Sequence, residues 1–367
     1  MEIKLSKSNL LRGITLVGNV TAQKAATLPI LGNMLFEASK KEDCLKIIGT
    51  DLEVGISTTV PAEIQKEGAI TIPAKKISEI VRELPEGEIE ITVAKNNAVN
   101  IKAGKAFFKV MGLMKEDYPK LPEWNNENAI ELDQALLKEC LALTSFAISY
   151  DETRYVLNGV LVSVTDKLIR FVATDGRRLA CSEKEIENKD GQTFEMIVPV
   201  KAVQELLKML TWEGTVKMIP SQNQVVFVLG DTFLVSRLIE GHFPNYEQVI
   251  PKGKKTTSSA NREDFLRVVR RTALLTSADS PAIKMDFVKG KILLSSRSPN
   301  MGEAKEELKA DVSGNDLVIG FNPQYLIDVL KNLDVENVSF SLTDPDKPGL
   351  IQGKDGYRYV IMPMQLN

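Results

Sequence analysis

The chain has 367 residues, 43% hydrophobic and 26% charged, with a net charge of −3 from 46 basic and 49 acidic side chains. That is an ordinary globular composition, long enough for two or three domains, and its balance argues against a nucleic-acid-binding domain of the usual basic kind. A single histidine, His242, and the lack of any GxxxxGK[ST] or GxGxxG loop leave no basis for a His-ligated metal centre, a Ser-His-Asp triad or a dedicated nucleotide site.

Neither a metal nor a cofactor is therefore expected. Cys44, Cys140 and Cys181 are odd in number and far apart, as in a reduced, cytoplasmic chain with small buried thiols. No run of about 18 apolar residues is present, and MEIKLSKSNL has no apolar h-region, so neither a membrane partner nor a secretory signal is expected.

Each third of the chain opens with an amphipathic helix. In the first, Ser8 is the expected cap for Leu10, Leu11, Ile14 and Val17; in the second, Asp133 precedes Leu136, Leu137, Cys140 and Leu141; in the third, Asn261 precedes Phe265, Leu266, Val268 and Val269. Strands follow in PILGNMLFEA, RYVLNGVLVSV and AIKMDFV, then in LKIIGTD, LIRFVATD and KILLSSR. They read as hairpins turning at Lys40-Lys41, Thr165-Asp166 and Lys289-Gly290. A second helix lies in ITIPAKKISEIVREL, IVPVKAVQELLKML and IGFNPQYLIDVLKNL, with proline near the first turn. More strands then run to Pro119, Pro244 and Pro363.

The spacing makes this a repeat. Leu11 to Leu137, Leu31 to Leu157 and Pro73 to Pro199 are each 126 positions apart, and Pro119 to Pro244 is 125. A period this long means whole repeated domains, expected at 1–122, 130–251 and 256–367 with linkers at 121–129 and 251–259.

Within the second third, FVATDGRRLA (171–180) breaks an apolar strand at Asp175-Gly176, a tight-turn signal. Arg177 and Arg178 after it are either solvated loop charges or the rim of a binding site. Basic residues recur on the helices: Lys75, Lys76 and Arg82; Lys201 and Lys208; Arg262, Arg267, Arg270 and Arg271; Lys331; with Lys24 and Arg154 in loops. One basic stripe is an ordinary solvated face. Here acids gather instead in strand-like stretches (183–187, 303–307), which would suit helices turned toward a phosphate backbone held without base reading.

TLPILGN (27–33), TDLE (50–53), RYVLNG (154–159), ATDGRRLA (173–180), EGHFPNY (240–246), GFN (320–322) and YVIMPMQL (359–366) stand in order. Together they resemble the bacterial sliding-clamp family, the beta subunits of DNA polymerase III holoenzymes, from end to end. The resemblance implies an α+β DNA clamp fold of three tandem similar domains, each with two helices on antiparallel sheets, dimerised head to tail into a ring. It implies no catalysis. The ring would encircle double-stranded DNA without sequence preference in the cytoplasm, on the nucleoid. A clamp loader complex would open it, and it would tether the DNA polymerase III catalytic subunit and other replication or repair proteins.

The family's partner-peptide groove maps onto Leu157, Thr174, Gly176, Arg177, Arg178, Leu179, Pro244, Val249, Tyr325, Val360, Met362, Pro363 and Met364. The DNA-facing set is Lys24, Lys75, Arg154, Tyr155, Lys201 and Arg267. The dimer seam is Lys105, Phe108 and Val110 against Leu274 and Leu275, with Glu303 and Glu306 as acidic partners. Phe107 and Phe108 are adjacent in an edge strand, so they point to opposite faces, and a plain core residue is the alternative reading for one of them. The chain departs from the pattern at Ala25, Gln248 and Asn367. Without the resemblance, the tail's Val-Ile-Met-Pro-Met run reads as a plain core strand. Two further readings stand beside the clamp: an enzyme with a carboxylate pair between repeated domains, and a peptide-binding scaffold that ignores DNA.

Overall fold

A computed structural model describes residues 1–21, 28–126, 128–188, 191–276 and 281–366; Lys24, Ala25 and Asn367 lie outside them. Six α-helices occur among the described residues: α1 (Lys7–Gly18), α2 (Ala74–Glu83), α3 (Gln134–Thr144), α4 (Val200–Met209), α5 (Arg262–Ala273) and α6 (Pro323–Asn332). Ser6, not Ser8, caps α1, its hydroxyl accepting from the Asn9 amide at 3.2 Å. The preceding strand ends there, so Ser6 is the last residue with the extended backbone a cap needs. Asn261 caps α5 by accepting from the Glu263 and Asp264 amides, and Asn322 caps α6 ahead of Pro323. The buried Phe265, Val268, Val269 and Thr272 follow helical spacing along one face of α5.

The expected hairpins form, with turn residues Asp43, Asp166 and Gly290 at positive φ. The starts of PILGNMLFEA and RYVLNGVLVSV are instead 3-10 segments, Pro29–Gly32 and Glu152–Leu157, with strands beginning only at Asn33 and Gly159. Pro29 cannot donate to a ladder, which keeps the first of these out of the sheet. Cys140 and Cys181 are buried, but Cys44 is only half-buried and its thiol donates to Glu42. Burial pushes the Cys140 thiol up to about 11. No helix among the described residues is long and apolar enough to cross a membrane.

The chain divides into two compact units, Met1–Ala135 with Gln204–Leu238, and Leu136–Val203 with Ile239–Asn367. The first holds a five-stranded sheet in the order Glu63–Lys66, Glu2–Ser6, Glu88–Val93, Ala98–Ala103, Ala106–Met111. Its eight-stranded sheet runs Ile130–Asp133, Thr215–Pro220, Gln224–Leu229, Thr232–Arg237, Val54–Pro61, Cys44–Thr50, Asn33–Ser39, Gly68–Pro73. In the second unit a nine-stranded sheet runs Phe194–Pro199, Gly159–Thr165, Leu168–Thr174, Arg178–Glu185, Arg358–Ile361, Gly349–Gln352, Asn337–Leu342, Thr256–Asn261, Asp311–Gly314. Its four-stranded sheet runs Gly302–Lys309, Lys291–Ser298, Ile283–Val288, Leu317–Phe321.

These units cut across the sequence repeat. The middle repeat gives Thr232–Arg237 to pair with Val54–Pro61 of the first, and Arg178–Glu185 to pair with Arg358–Ile361 of the third. Each joint satisfies a row of backbone donors and acceptors that a free edge would leave open. Among the described residues, two equivalent strands pair on one side only: Ala106–Met111 with Ala98–Ala103, and Gly302–Lys309 with Lys291–Ser298. On Ala106–Met111, Phe107 is 63% exposed and Phe108 38%, so neither is a core residue, contrary to the alternative reading.

In the first repeat, the Asp51 carboxylate accepts from the Glu53 and Val54 amides at 3.0 and 2.8 Å, closing a turn that holds Leu52 at φ +80°. Leucine is disfavoured there, and its side chain is 44% exposed. Leu52→Gly is expected to stabilise the protein by about 0.5–1 kcal/mol, less than the full left-handed penalty because glycine gains freedom when unfolded. The check is a raised denaturant midpoint at constant slope.

Candidate functional site

The site is built on the turn at 174–179. Thr174 Oγ1 donates to the Arg178 carbonyl at 2.6 Å and accepts from the Gly176 amide at 3.1 Å. The Asp175 carboxylate accepts from the Arg177 and Arg178 amides at 2.8 and 3.0 Å. Gly176 sits at φ +85°, where a side chain would be strained and would also meet Arg154 Nη1. Thr-Asp-Gly is therefore the chemistry this turn demands. Arg154 supports it from outside, donating to the Asp175 carbonyl at 2.9 Å and to the Asp151 carboxylate at 3.0 Å.

The two arginines after the turn part company. Arg177 is exposed, and its carbonyl accepts from the Met362 amide at 2.9 Å, tying the tail to the turn. Arg178 has a side chain only 10% exposed. It donates to Asp175 at 3.1 Å, to Asp328 on α6 at 2.6 Å and to the Phe146 carbonyl at 2.6 Å, and lies over the Tyr325 ring at 4.5 Å. Burial opposes this charge, but the Tyr359 phenol and the Asp328 and Asp175 carboxylates outweigh it and hold the guanidinium's pKa above the ordinary arginine value. Gln324 in turn donates to Asp328 at 2.6 Å. Arg178 thus works as a staple between turn and helix.

Above the staple lies a pocket lined by Leu157, Thr174, Gly176, Arg177, Arg178, Leu179, Pro244, Val249, Val360 and Met362, all in the expected groove set, with Asn245 and Tyr246. Leu179 and Val360 of its lining belong to a buried cluster with Leu161, Val172, Cys181, Ile197 and Leu350, against which Phe243, Tyr246 and Ile250 pack. Half-exposed Val249 and Met362 leave its mouth open. Asn245 and Tyr246 were not singled out from the sequence, although EGHFPNY contains both. Of the remaining expected residues, Tyr325 lies beneath Arg178 rather than on the pocket. Pro363 and Met364 line a neighbouring depression with Val318, Ile319 and Leu366, where the Met364 amide donates to the Gly320 carbonyl.

The cationic set is dispersed. Lys75 is exposed on α2 in the first unit, whereas Arg154, Tyr155, Lys201 and Arg267 belong to the second. Tyr155 is 57% exposed. Arg267, though exposed, pairs with Glu263 at 3.2 Å and Asp264 at 3.7 Å. Arg262 is spent on the Val335 and Leu330 carbonyls, so it does not extend the α5 stripe. Arg271 holds Glu306 through two bonds of 2.7 and 2.8 Å. That engages Glu306 within the chain, leaving Glu303, Lys105 and Leu274 as the more exposed members of the expected seam, with Val110 and Leu275 partly covered.

Three family models match: the N-terminal domain of the DNA polymerase III beta subunit over residues 1–122, its central domain over 131–245 and its C-terminal domain over 247–365. The chain is 34% identical to the beta sliding clamp of Pseudomonas putida and 33% to that of Chlamydia pneumoniae, over all of both chains in each case. It superposes on the DNA polymerase sliding clamp of Bacillus subtilis with a TM-score of 0.95 at 29% identity, and on the griselimycin-bound Pseudomonas aeruginosa sliding clamp with 0.95 at 33%, covering all of each.

Removing one acceptor from the Arg178 staple leaves a largely buried guanidinium under-satisfied. Asp328→Ala is expected to destabilise the protein by about 1–3 kcal/mol in chemical denaturation, while Asp328→Asn, which keeps an acceptor oxygen, is expected to lose less.

Proposed function

The chain belongs to the DNA polymerase III beta-subunit family, the sliding clamps, and we propose that the pocket above the Arg178 staple is its docking groove for DNA-processing partners. Membership makes the protein a non-catalytic processivity factor of DNA polymerase III, in a family that works as a dimer on DNA with the polymerase. One observation carries the groove reading. Four separate segments (157, 174–179, 244–249 and 360–362) bring Leu157, Leu179, Pro244, Val249, Val360 and Met362 around a single open apolar pocket. An extended peptide with apolar side chains fits such walls, and methionine at the mouth adapts to more than one of them. One groove then serves the polymerase catalytic subunit, the clamp loader and other replication or repair proteins by turns. Tyr325, Pro363 and Met364 act at its margins, the first through Arg178.

The three repeats, at 1–122, 130–251 and 256–367, are read as the clamp domains. Two copies close through the free edges Ala106–Met111 and Gly302–Lys309, with Lys105, Phe108 and Val110 on one side and Leu274, Leu275, Glu303 and Glu306 on the other. Both edges are exposed and equivalent to strands that do pair within the chain, which supports the reading. Lys75, Arg154, Tyr155, Lys201 and Arg267 are assigned to duplex DNA, contacting phosphate rather than bases, and the resemblance adds Lys24, outside the described residues. The protein then acts in the cytoplasm on nucleoid DNA.

Val249→Glu and Met362→Glu place a charge at an exposed lip without disturbing the core. Each is expected to weaken binding of the polymerase catalytic subunit at least about tenfold, from a lost apolar contact worth on the order of 1.4 kcal/mol. Each should abolish polymerase stimulation while leaving retention on nicked circular DNA intact. Undiminished stimulation would overturn the groove. A monomer never retained on loaded circles would overturn the clamp reading. Association with linear DNA is expected to fall steeply between about 50 and 200 mM salt.

A further inference from the structure

The two joints inside the chain share one register. Val235 stands opposite Gly55 and Phe233 opposite Ser57 in the first; Val360 stands opposite Leu179 and Arg358 opposite Cys181 in the second. The free edges can be placed on the same scale. Glu303 lies as far before Lys309, which stands opposite Lys291 at the open end of its hairpin, as Leu179 lies before Glu185 and Gly55 before Pro61. Lys109 lies as far before Leu113, which bridges to Thr71, as Val360 lies before Met364, which bridges to Gly320. The same offset from a two-residue turn, Gly104-Lys105 or Gly230-Asp231, relates Lys109 to Val235.

From this internal equivalence, and resting on the dimer reading above, we infer that two copies pair edge to edge in the register that sets Lys109 of one copy directly opposite Glu303 of the other. The same register puts Phe108 beside the partner's Ala304 and Phe107 beside the partner's Lys305. Both internal joints hold apolar or small residues at this position; the joint between copies holds opposite charges. Directly opposed side chains on antiparallel strands are near enough to pair, and like charges there repel. Both residues are exposed in the single chain, where Glu303 accepts from Lys305 at 3.0 Å. The carboxylate would thus lie between its own Lys305 and the partner's Lys109. The two exposed phenylalanines are accounted for as well, each gaining a neighbour across the seam.

Cysteine pairs test the register in the full-length protein carrying Cys44→Ser. Lys109→Cys with Glu303→Cys is expected to give disulfide-linked dimers at least about tenfold faster than Lys109→Cys with Ala304→Cys, whose side chain points to the other face of the sheet. A dimer that cross-links best through Lys109→Cys with Lys305→Cys would overturn the register while sparing the dimer. A parent protein that sediments as a monomer would overturn the dimer reading itself. For the charge pair, Lys109→Glu and Glu303→Lys are each expected to weaken dimerisation about fivefold, and the double exchange to restore it to within about twofold. Two weak single variants whose combination stays weak would overturn the ion pair.

Discussion

A β-strand cannot end its sheet without leaving a row of backbone donors and acceptors on one side. This chain meets that constraint by lending strands between repeats. The middle repeat hands Thr232–Arg237 to its predecessor and receives Arg358–Ile361 from its successor. The compact units arise because these ladders join strands that the sequence repeat would separate. The pocket arises there too, since one joint brings the 174–179 turn of one repeat against the 360–362 tail of the next. The free edges are the same device left without a partner inside the chain.

The apolar pocket belongs to one joint, and the side chains at equivalent positions explain why. Where the second unit has Leu179, the first has Gly55, and Leu121 packs so closely there that a Cβ on Gly55 would come within 2.4 Å of its Cδ2. Where Met362 stands at the mouth, the first joint has Arg237. At the free edge the place of Leu179 is taken by Glu303 and that of Cys181 by Lys305, so its outer face is charged. Shared backbone geometry yields a docking surface only where the side chains on the exposed face stay apolar.

Much of this was legible in the sequence because it is local. The Asp175-Gly176 turn and the Asn261 cap each depend on residues within a few positions of one another, and the repeat shows as a spacing that needs no structure to count. The separate duties of Arg177 and Arg178 were not legible. Nothing near them in sequence distinguishes the two; what fixes Arg178 is Asp328, 150 positions away. Tyr325 was placed in the groove by the resemblance alone, and it meets the staple at the Arg178 guanidinium. The exposure of both Phe107 and Phe108 was not legible, because strand alternation only puts them on opposite faces, and coverage is a property of the sheet's neighbours. The α5 stripe looked more basic in sequence than it is in space, since Glu263, Asp264 and Glu306 lie within reach of its arginines.

The loan of Thr232–Arg237 to Val54–Pro61 also sets an order of events at the ribosome. Val54–Pro61 emerges early, but its partner is made only after the whole of α3, the nine-stranded sheet's first members and α4 have been synthesised. At about 5–20 residues per second the interval is roughly 10–35 s, during which a strand bearing Val54, Ile56 and Val60 has one open side. Long-range ladders of this kind are slow to close and exposed to wrong partners meanwhile. The strand's run of Ser57, Thr58 and Thr59 and its terminal Pro61 suit that wait, because polar residues and proline blunt an edge against premature pairing.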